Sequence, residues 1–331
     1  MTVTTIIVNY NSGALLDECL KHLEAQTVRS DKIIVVDNAS VDGSQNIAGA
    51  YASVDMLLLN ENLGFAGGNN LALSGVDTEF VALLNPDAFP EPDWLESLLA
   101  AASENPDVGA FGSRQLCSDA NFILDGVGDS YHVSGLVWRD RHGAKQQPND
   151  LVTREIFSPC AAAALYRRKA LHEVGGFDED YFCYVEDVDL GFRLRLAGYK
   201  SMYVPSAVVY HVGSATTGGQ RSDFSVYHGH RNLVWTFIKD MPSYLFWLLL
   251  PLHILMNLAT VLLFTLRGQG KVILRAKWDA IKGVSGAFGK RRAIQSGRVA
   301  KVADVWRSLD KRLPILSKLF PAKCKKRTIA K

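Results

Sequence analysis

The chain lacks the features of a disulfide-stapled or zinc-built protein. Its 331 residues hold five cysteines, Cys19, Cys117, Cys160, Cys183 and Cys324, odd in number, widely spaced and without a CxxC pair. Neither a disulfide framework nor a zinc site follows from that spacing, and a reducing compartment is the expectation. No GxGxxG opens a helix and no GxxxxGK[ST] run occurs, which argues against NAD-type and P-loop nucleotide binding. The opening MTVTTIIVNYNS has no basic stretch and only a short apolar run, so it predicts a first strand and not a signal peptide, with the domain that follows in the cytoplasm. Acids are scarce at the other end. From Arg267 to Lys331, 19 Lys or Arg stand against three acids, whereas residues 1–266 hold 17 basic and 31 acidic residues. The net charge of +2 therefore hides two parts built for different surroundings.

What is present is a core-forming α/β pattern, 48% hydrophobic overall. Strands are predicted at 4–9, 32–36, 56–59, 80–84 and 108–111, with helices at 13–25, 44–53, 66–74 and 93–103 between them. This alternation predicts a mostly parallel sheet covered by helices, which binds ligands at the carboxyl ends of its strands. Polar clusters collect at those ends: Asn9-Tyr10-Asn11-Ser12, Asp37-Asn38-Ala39-Ser40, Asn60-Glu61-Asn62 and Asn85-Pro86-Asp87. Each alone reads equally as a helix cap or a turn. Together they predict a site, with Asp37 accepting from a ribose or base, the Gly64–Asn70 run letting backbone approach a ligand, and Asp87 offering oxygen to a hard divalent cation.

A second centre lies at Gly175 to Tyr199, GGFDEDYFCYVEDVDLGFRLRLAGY. Six carboxylates occupy the twelve residues from Asp178 to Asp189, interleaved with aromatics. Leu190, Leu194 and Ala197 predict a helix that starts near Glu186 and that Gly198 ends. Glu186 and Asp187 then sit at a helix N-terminus, where the partial positive charge keeps a carboxylate ionised and fit to act as a general base. Helix capping with surface charge is the alternative.

In order, the blocks VNYNS, VVDNASVDGS, NENLGFAGGNN, LLNPD, GGFDEDYFCYVEDVDLGFRLRLAGY and YHVGS resemble the successive motifs of family 2 glycosyltransferases, and within them bacterial rhamnosyltransferase-like enzymes, over residues 3 to 240. The resemblance implies a GT-A nucleotide-diphospho-sugar transferase fold and inverting, metal-dependent sugar transfer. It implies Asp187 as base, with Glu186 and Asp189 as runners-up, and a donor site of Asn9, Asn11, Asp37, Asn62, Gly67, Asn69, Asn85, Asp87 and Arg231. It implies Tyr184, Glu186 and Asp189 at the acceptor, and Asp87 with His211 on Mg²⁺ or Mn²⁺. Asn85 stands where the family's DxD motif has its first carboxylate, so the metal site carries one acid fewer. The implied donor is dTDP-rhamnose or a UDP-sugar, and the implied acceptor a glycan or a polyprenyl-diphosphate-linked sugar of a bacterial surface polysaccharide. A catalytically silent membrane scaffold with the same fold is the reading from another class.

Residues 117–154 are aperiodic and read as a loop insertion near the acceptor. Residues 158–166, SPCAAAALY, read as a strand of small residues. The polar, glycine-rich run 213–224 suits a lid, and Arg221 or Arg231 is placed to meet the diphosphate. From Ser243 to Leu266, 24 residues pass without Asp, Glu, Lys or Arg, long enough to cross a membrane. A single crossing from a cytoplasmic catalytic domain would put the basic tail outside, against the usual charge rule. The expectation is a re-entrant or in-plane helix pair on the cytoplasmic face of the inner membrane, the tail on anionic lipid and not on nucleic acid. A buried core helix is the alternative. The expected division is a catalytic domain over 1–240 and a membrane-association region over 241–331.

Overall fold

The computed structural model describes residues 1–118, 122–213, 219 and 221–312. The first half runs β1 (Val3–Asn9), α1 (Ala14–Glu24), β2 (Lys32–Asp37), β3 (Val54–Leu58), α2 (Gly64–Leu73), β4 (Phe80–Leu84), β5 (Ala88–Pro90), α3 (Trp94–Glu104) and β6 (Val108–Cys117). Strands β1 and β4 are apolar and buried on both faces, as parallel strands under helices are. Leu16, Leu20 and Leu23 give α1 one apolar stripe, and all three are buried against the sheet. The helix expected over 44–53 is two 3₁₀ turns, Ser44–Asn46 and Ala48–Ala50. Gly43 enters the first of them at φ 92°, and the break between the two falls at Ile47.

The second half adds β7 (Leu124–Gly126), β8 (Asp129–Tyr131), β9 (Val137–Arg139), β10 (Arg154–Ile156), β11 (Ala163–Arg167), α4 (Arg168–Glu173), α5 (Glu186–Leu196) and β12 (Lys200–His211). The main sheet has the order β10-β12-β6-β11-β4-β1-β2-β3. It is parallel from β4 through β3 and between β12 and β6, but β11 is antiparallel to both neighbours. The sheet is thus mixed where a mostly parallel one was expected. Only β11 of the 158–166 stretch is strand, and Cys160 lies in the loop before it. The thiols of Cys19, Cys160 and Cys183 are free.

The chain closes with α6 (Asp223–Asp240), α7 (Ser243–Phe264), α8 (Gly270–Lys282), α9 (Val284–Ser296) and α10 (Val302–Ser308). Ring contacts of Phe237 with His253 and of His230 with Phe264 run α7 antiparallel to α6. Gly268, at φ 84°, reverses the chain, and α8 returns along α6 through Lys277 to the His230 carbonyl and Trp235 to the Ala280 carbonyl. The apolar segment is therefore one arm of a helical hairpin. Little of it is buried, and Trp247, Leu248, Leu255, Leu258, Leu262 and Trp278 are each 60% or more exposed. Among the described residues it is the one helix long and apolar enough to cross a membrane.

Residue 240 falls inside a shared core. Leu245, Phe246, Ala287, Val305 and Leu309 pack with Phe157, Val188 and Phe192 of the catalytic half. Lys290 pairs with Asp178 and Asp180, and Arg291 donates to the Ile238 and Met241 carbonyls. The basic residues from 283 to 312 are thus partly built into the catalytic body. Residues 214–218 and 220 of the expected lid, and the whole tail beyond 312, lie outside the described residues.

Candidate active site

Strands β1 and β2 end in register, Asn9 beside Asp37. Asn9 Nδ2 donates to Asp37 Oδ2 at 2.6 Å and to Ser44 Oγ at 2.9 Å, and the Ser40 amide donates to Asp37 Oδ1 at 2.8 Å. Both residues are buried and form a rigid floor. Asn11, at φ 49°, accepts from the Val41 amide at 2.9 Å, joining the two loops. Asn62 Oδ1 accepts from the Gly64 amide at 2.8 Å at the start of α2. Gly67 and Asn69 turn toward the protein instead. A Cβ on Gly67 would lie 2.9 Å from that of Leu63, and Asn69 Nδ2 donates to the Phe65 carbonyl. One turn of the same helix, at Gly68, a Cβ would meet Val8 of β1 at 2.9 Å, so the glycines serve close helix-to-sheet packing.

Past β4, the Asn85 amide donates to the Ala162 carbonyl, and β5 then pairs with β12 so that Ala88 faces His211. The Val212 amide closes this pairing on the Asp87 carbonyl at 3.0 Å. Asp87 Oδ1 and His211 Nε2 are thereby held 3.3 Å apart, an ion-pair distance without hydrogen-bond alignment. The other ring nitrogen, Nδ1, lies 2.8 Å from Asp125 Oδ2. Burial opposes charge on His211, but Asp87 and then Asp125 outweigh it and push the imidazole up to about 10. Burial likewise opposes charge on Asp125, and Arg139 and His211 hold its carboxyl well below the usual range.

Arg139 is the hinge between this pair and the third group. Its Nη1 donates to Asp125 Oδ2 at 2.5 Å, its Nη2 to Cys160 Sγ at 2.6 Å, and its Nε lies 3.9 Å from Asp129 Oδ1. Ligand atoms of Asp129, Cys160 and Asp187 lie within 4.8 Å of one another. Arg139 thus contacts one member of the trio, Cys160, lies 3.9 Å from a second, Asp129, and acts on Asp187 through its charge. Asp187 accepts from the Ala161 amide at 3.2 Å and from the Val188 amide at 2.9 Å, at the first turn of α5. The expected dominance of the helix terminus over its charge does not hold. Burial raises the Asp187 pKa, with Arg139 and the backbone amides acting against the rise. Glu186 is buried with Oε2 unpartnered, and burial followed by Asp187 pushes its carboxyl well above the usual range.

Two predicted contacts are placed elsewhere. Asp189 is fully buried, accepting from Tyr181 Oη at 3.0 Å and from Arg193 Nε at 2.8 Å, with Lys239 Nζ at 2.6 Å, so it does not reach an acceptor. Its neighbours satisfy it because a carboxylate in the core needs paired partners. Arg231 donates to the Asp180 and Tyr181 carbonyls and stacks on Trp235, which commits it to the loop before α5 and not to a diphosphate. Tyr184 belongs to that loop, its ring 6.2 Å from Phe224. Asp125, Asp129 and Arg139 were not singled out in the sequence. Their one signal is the density of charge in the otherwise aperiodic run from Asp125 to His142.

A parallel half suited to a nucleotide, joined to a mixed half that carries a carboxylate pair, is the GT-A architecture of sugar-nucleotide-dependent transferases. The family described as Glycosyl transferase family 2 matches residues 4–175, and the chain belongs to it. It is 31% identical over 260 residues to the N-acetylglucosaminyl-diphospho-decaprenol L-rhamnosyltransferase of Mycobacterium tuberculosis, covering 72% of this chain and 84% of that one. It is 30% identical over 229 residues to the O-antigen chain rhamnosyltransferase WbaN of Salmonella anatum, covering 68% and 69%. Among solved structures, S. aureus TarS 1-349 in complex with UDP-GlcNAc aligns at a TM-score of 0.57 and 17% identity, covering 93% of this chain and 92% of that one. The mannosyltransferase PcManGT from Pyrobaculum calidifontis, in complex with GDP-Man and Mn²⁺, aligns at 0.55 and 19%, covering 93% and 83%. These two likenesses establish the fold alone. The chain is a glycosyltransferase.

Proposed function

We propose that this glycosyltransferase moves L-rhamnose from dTDP-rhamnose to a lipid-linked or glycan acceptor with inversion at the anomeric carbon. The observation that carries the mechanism is Asp187, half-buried at the first turn of α5 and linked through Arg139 to the Asp87–His211 pair. Asp187 removes the proton of the acceptor hydroxyl while that oxygen attacks the anomeric carbon. The bond to the nucleoside diphosphate breaks on the opposite face, and the diphosphate leaves with the electron pair. Asn9, Asn11, Asp37 and Asn62 frame the nucleotide end.

Asp87 and His211 suit a hard divalent cation, Mg²⁺ or Mn²⁺: a carboxylate oxygen and a buried ring nitrogen face each other 3.3 Å apart. When bound, such an ion neutralises charge on the departing diphosphate. Asp125 on Nδ1 fixes the ring so that Nε2 faces Asp87. Rhamnose rests on the names of the two relatives, and a UDP-sugar is the runner-up because TarS was solved with one.

The exposed apolar face of α7 and α8 lies on the membrane, with Arg267, Lys271, Arg275 and Lys282 toward anionic headgroups. The hairpin supports the in-plane reading over a single crossing, and the enzyme then works from the cytoplasmic face, where it meets a polyprenyl-diphosphate acceptor. The test is calorimetric binding of dTDP-rhamnose and of UDP-sugars to detergent-solubilised protein with and without Mn²⁺. Metal-dependent binding of dTDP-rhamnose that Asp87→Ala abolishes is expected. Metal-dependent binding of a UDP-sugar alone would replace the donor.

A further inference from the structure

The loop that delivers Glu186 and Asp187 is built in a conformation its own residues disfavour. Phe182, Tyr184 and Val185 have φ of 64°, 65° and 71°, three non-glycine residues in the left-handed half of conformational space within four positions. Phe182 also has ψ −63°, and the Cys183 amide donates to the Tyr181 carbonyl at 2.7 Å across it. That is a γ-turn of the rare, strained hand. Such strain persists only where the surroundings over-determine it.

The surroundings here are two adjacent side chains of α6. Asn232, fully buried, points its amide nitrogen at the carbonyls of Tyr181 (3.1 Å), Cys183 (3.0 Å) and Tyr184 (2.7 Å). Arg231 donates to the Asp180 and Tyr181 carbonyls at 2.9 and 3.0 Å, and its Nε fixes Asn232 Oδ1 at 2.9 Å. From the other side the Ala66 amide donates to the Phe182 carbonyl at 3.2 Å. Gly64 lies against the Phe182 ring, where a Cβ would come within 2.6 Å. Every carbonyl from Asp180 to Tyr184 is thus held from outside the loop. The next residues after it are Glu186 and Asp187.

We infer that Asn232, seconded by Arg231, is a positioning residue for catalysis: it clasps the strained 180–185 loop so that Asp187 meets the acceptor hydroxyl in a reactive geometry. The inference rests on Asp187 as the base. Asn232 touches no substrate. Its loss acts through the direction in which α5 starts.

The test uses the full-length protein with Asn232→Ala and Asp187→Asn, and Arg231→Gln in case the first variant does not fold. Hydrogen exchange by mass spectrometry reads peptides over 180–187, and calorimetry reads dTDP-rhamnose binding. Transfer from dTDP-rhamnose to N-acetylglucosaminyl-diphospho-decaprenol reads the rate. In folded Asn232→Ala, exchange over 180–187 is expected to quicken and kcat to fall about a hundredfold, the scale of a misplaced reacting group, while donor affinity and KM stay at wild-type values. Arg231→Gln is expected to show the same pattern, smaller. A merely structural role would lower the folded fraction and leave kcat per folded molecule unchanged. Unchanged exchange and kcat beside an inactive Asp187→Asn would overturn the clasp alone. Full transfer by Asp187→Asn would overturn the base, and with it the catalytic half of this inference.

Discussion

His211 Nδ1 lies 2.8 Å from Asp125 Oδ2, so a residue from the aperiodic insertion orients the ring whose other nitrogen faces Asp87. Removing the charge while keeping the shape isolates that role. Asp125→Asn is expected to weaken Mn²⁺ binding in the presence of donor about 10- to 100-fold, the usual effect of losing a carboxylate behind a metal-binding histidine. Calorimetric titration checks it, and unchanged affinity would mean that His211 is oriented by other contacts or is not a ligand.

The pH profile carries a second prediction. Burial raises the Asp187 pKa, so the base takes up its proton at a higher pH than an exposed aspartate, and kcat falls as pH drops through that raised value. Arg139 acts against the rise, so Arg139→Gln moves the acid limb of the kcat profile to higher pH, and Arg139→Lys moves it less. A limb that stays in place or moves down would remove Arg139 from the charge balance of the base.

Much of this was legible in order and little of it in depth. β1, β2, β4, α1, α3 and α5 follow from apolar period and turn residues, which are local. The insertion did not, because Asp125 meets His211 across 86 residues and no periodicity announces the pairing. Asp189 and Arg231 show the opposite failure. Both look like ligand-facing charges in a motif, yet Tyr181, Arg193 and Lys239 close on the first, and loop carbonyls on the second. Whether a motif carboxylate faces the cleft or the core depends also on distant partners such as Lys239 of α6, beyond the reach of local spacing.

Stability should depend on that buried network. Lys239 is 1% exposed and pairs with both Asp178 and Asp189. Lys239→Met leaves Asp189 with Arg193 and Asp178 with Lys290 as their remaining cations, and loss of the shared one is expected to destabilise the fold by roughly 3 kcal/mol, the low end for a broken buried pair. Chemical denaturation in detergent reads the change. A cost under about 1 kcal/mol, the range of an exposed pair, would show that water reaches the network.

The membrane face is tested by its exposed leucines. Leu255 and Leu258 are 60% and 63% exposed on α7 and make the apolar surface that lipid would cover. Burial of a leucine is worth about 1.5 kcal/mol or more, so Leu255→Ser with Leu258→Ser should weaken binding to vesicles containing phosphatidylglycerol roughly a hundredfold. Vesicle co-sedimentation measures it. Undiminished binding would place the hairpin away from the bilayer.

The most direct measurement is transfer from dTDP-rhamnose by wild type and Asp187→Asn under saturating Mn²⁺. Asp187→Asn is expected to bind donor as the wild type does and to lose transfer by about 10²- to 10⁴-fold, the scale of a missing general base. Wild-type transfer by Asp187→Asn would contradict the account at its centre and send the search for the base to Glu186 or Asp129.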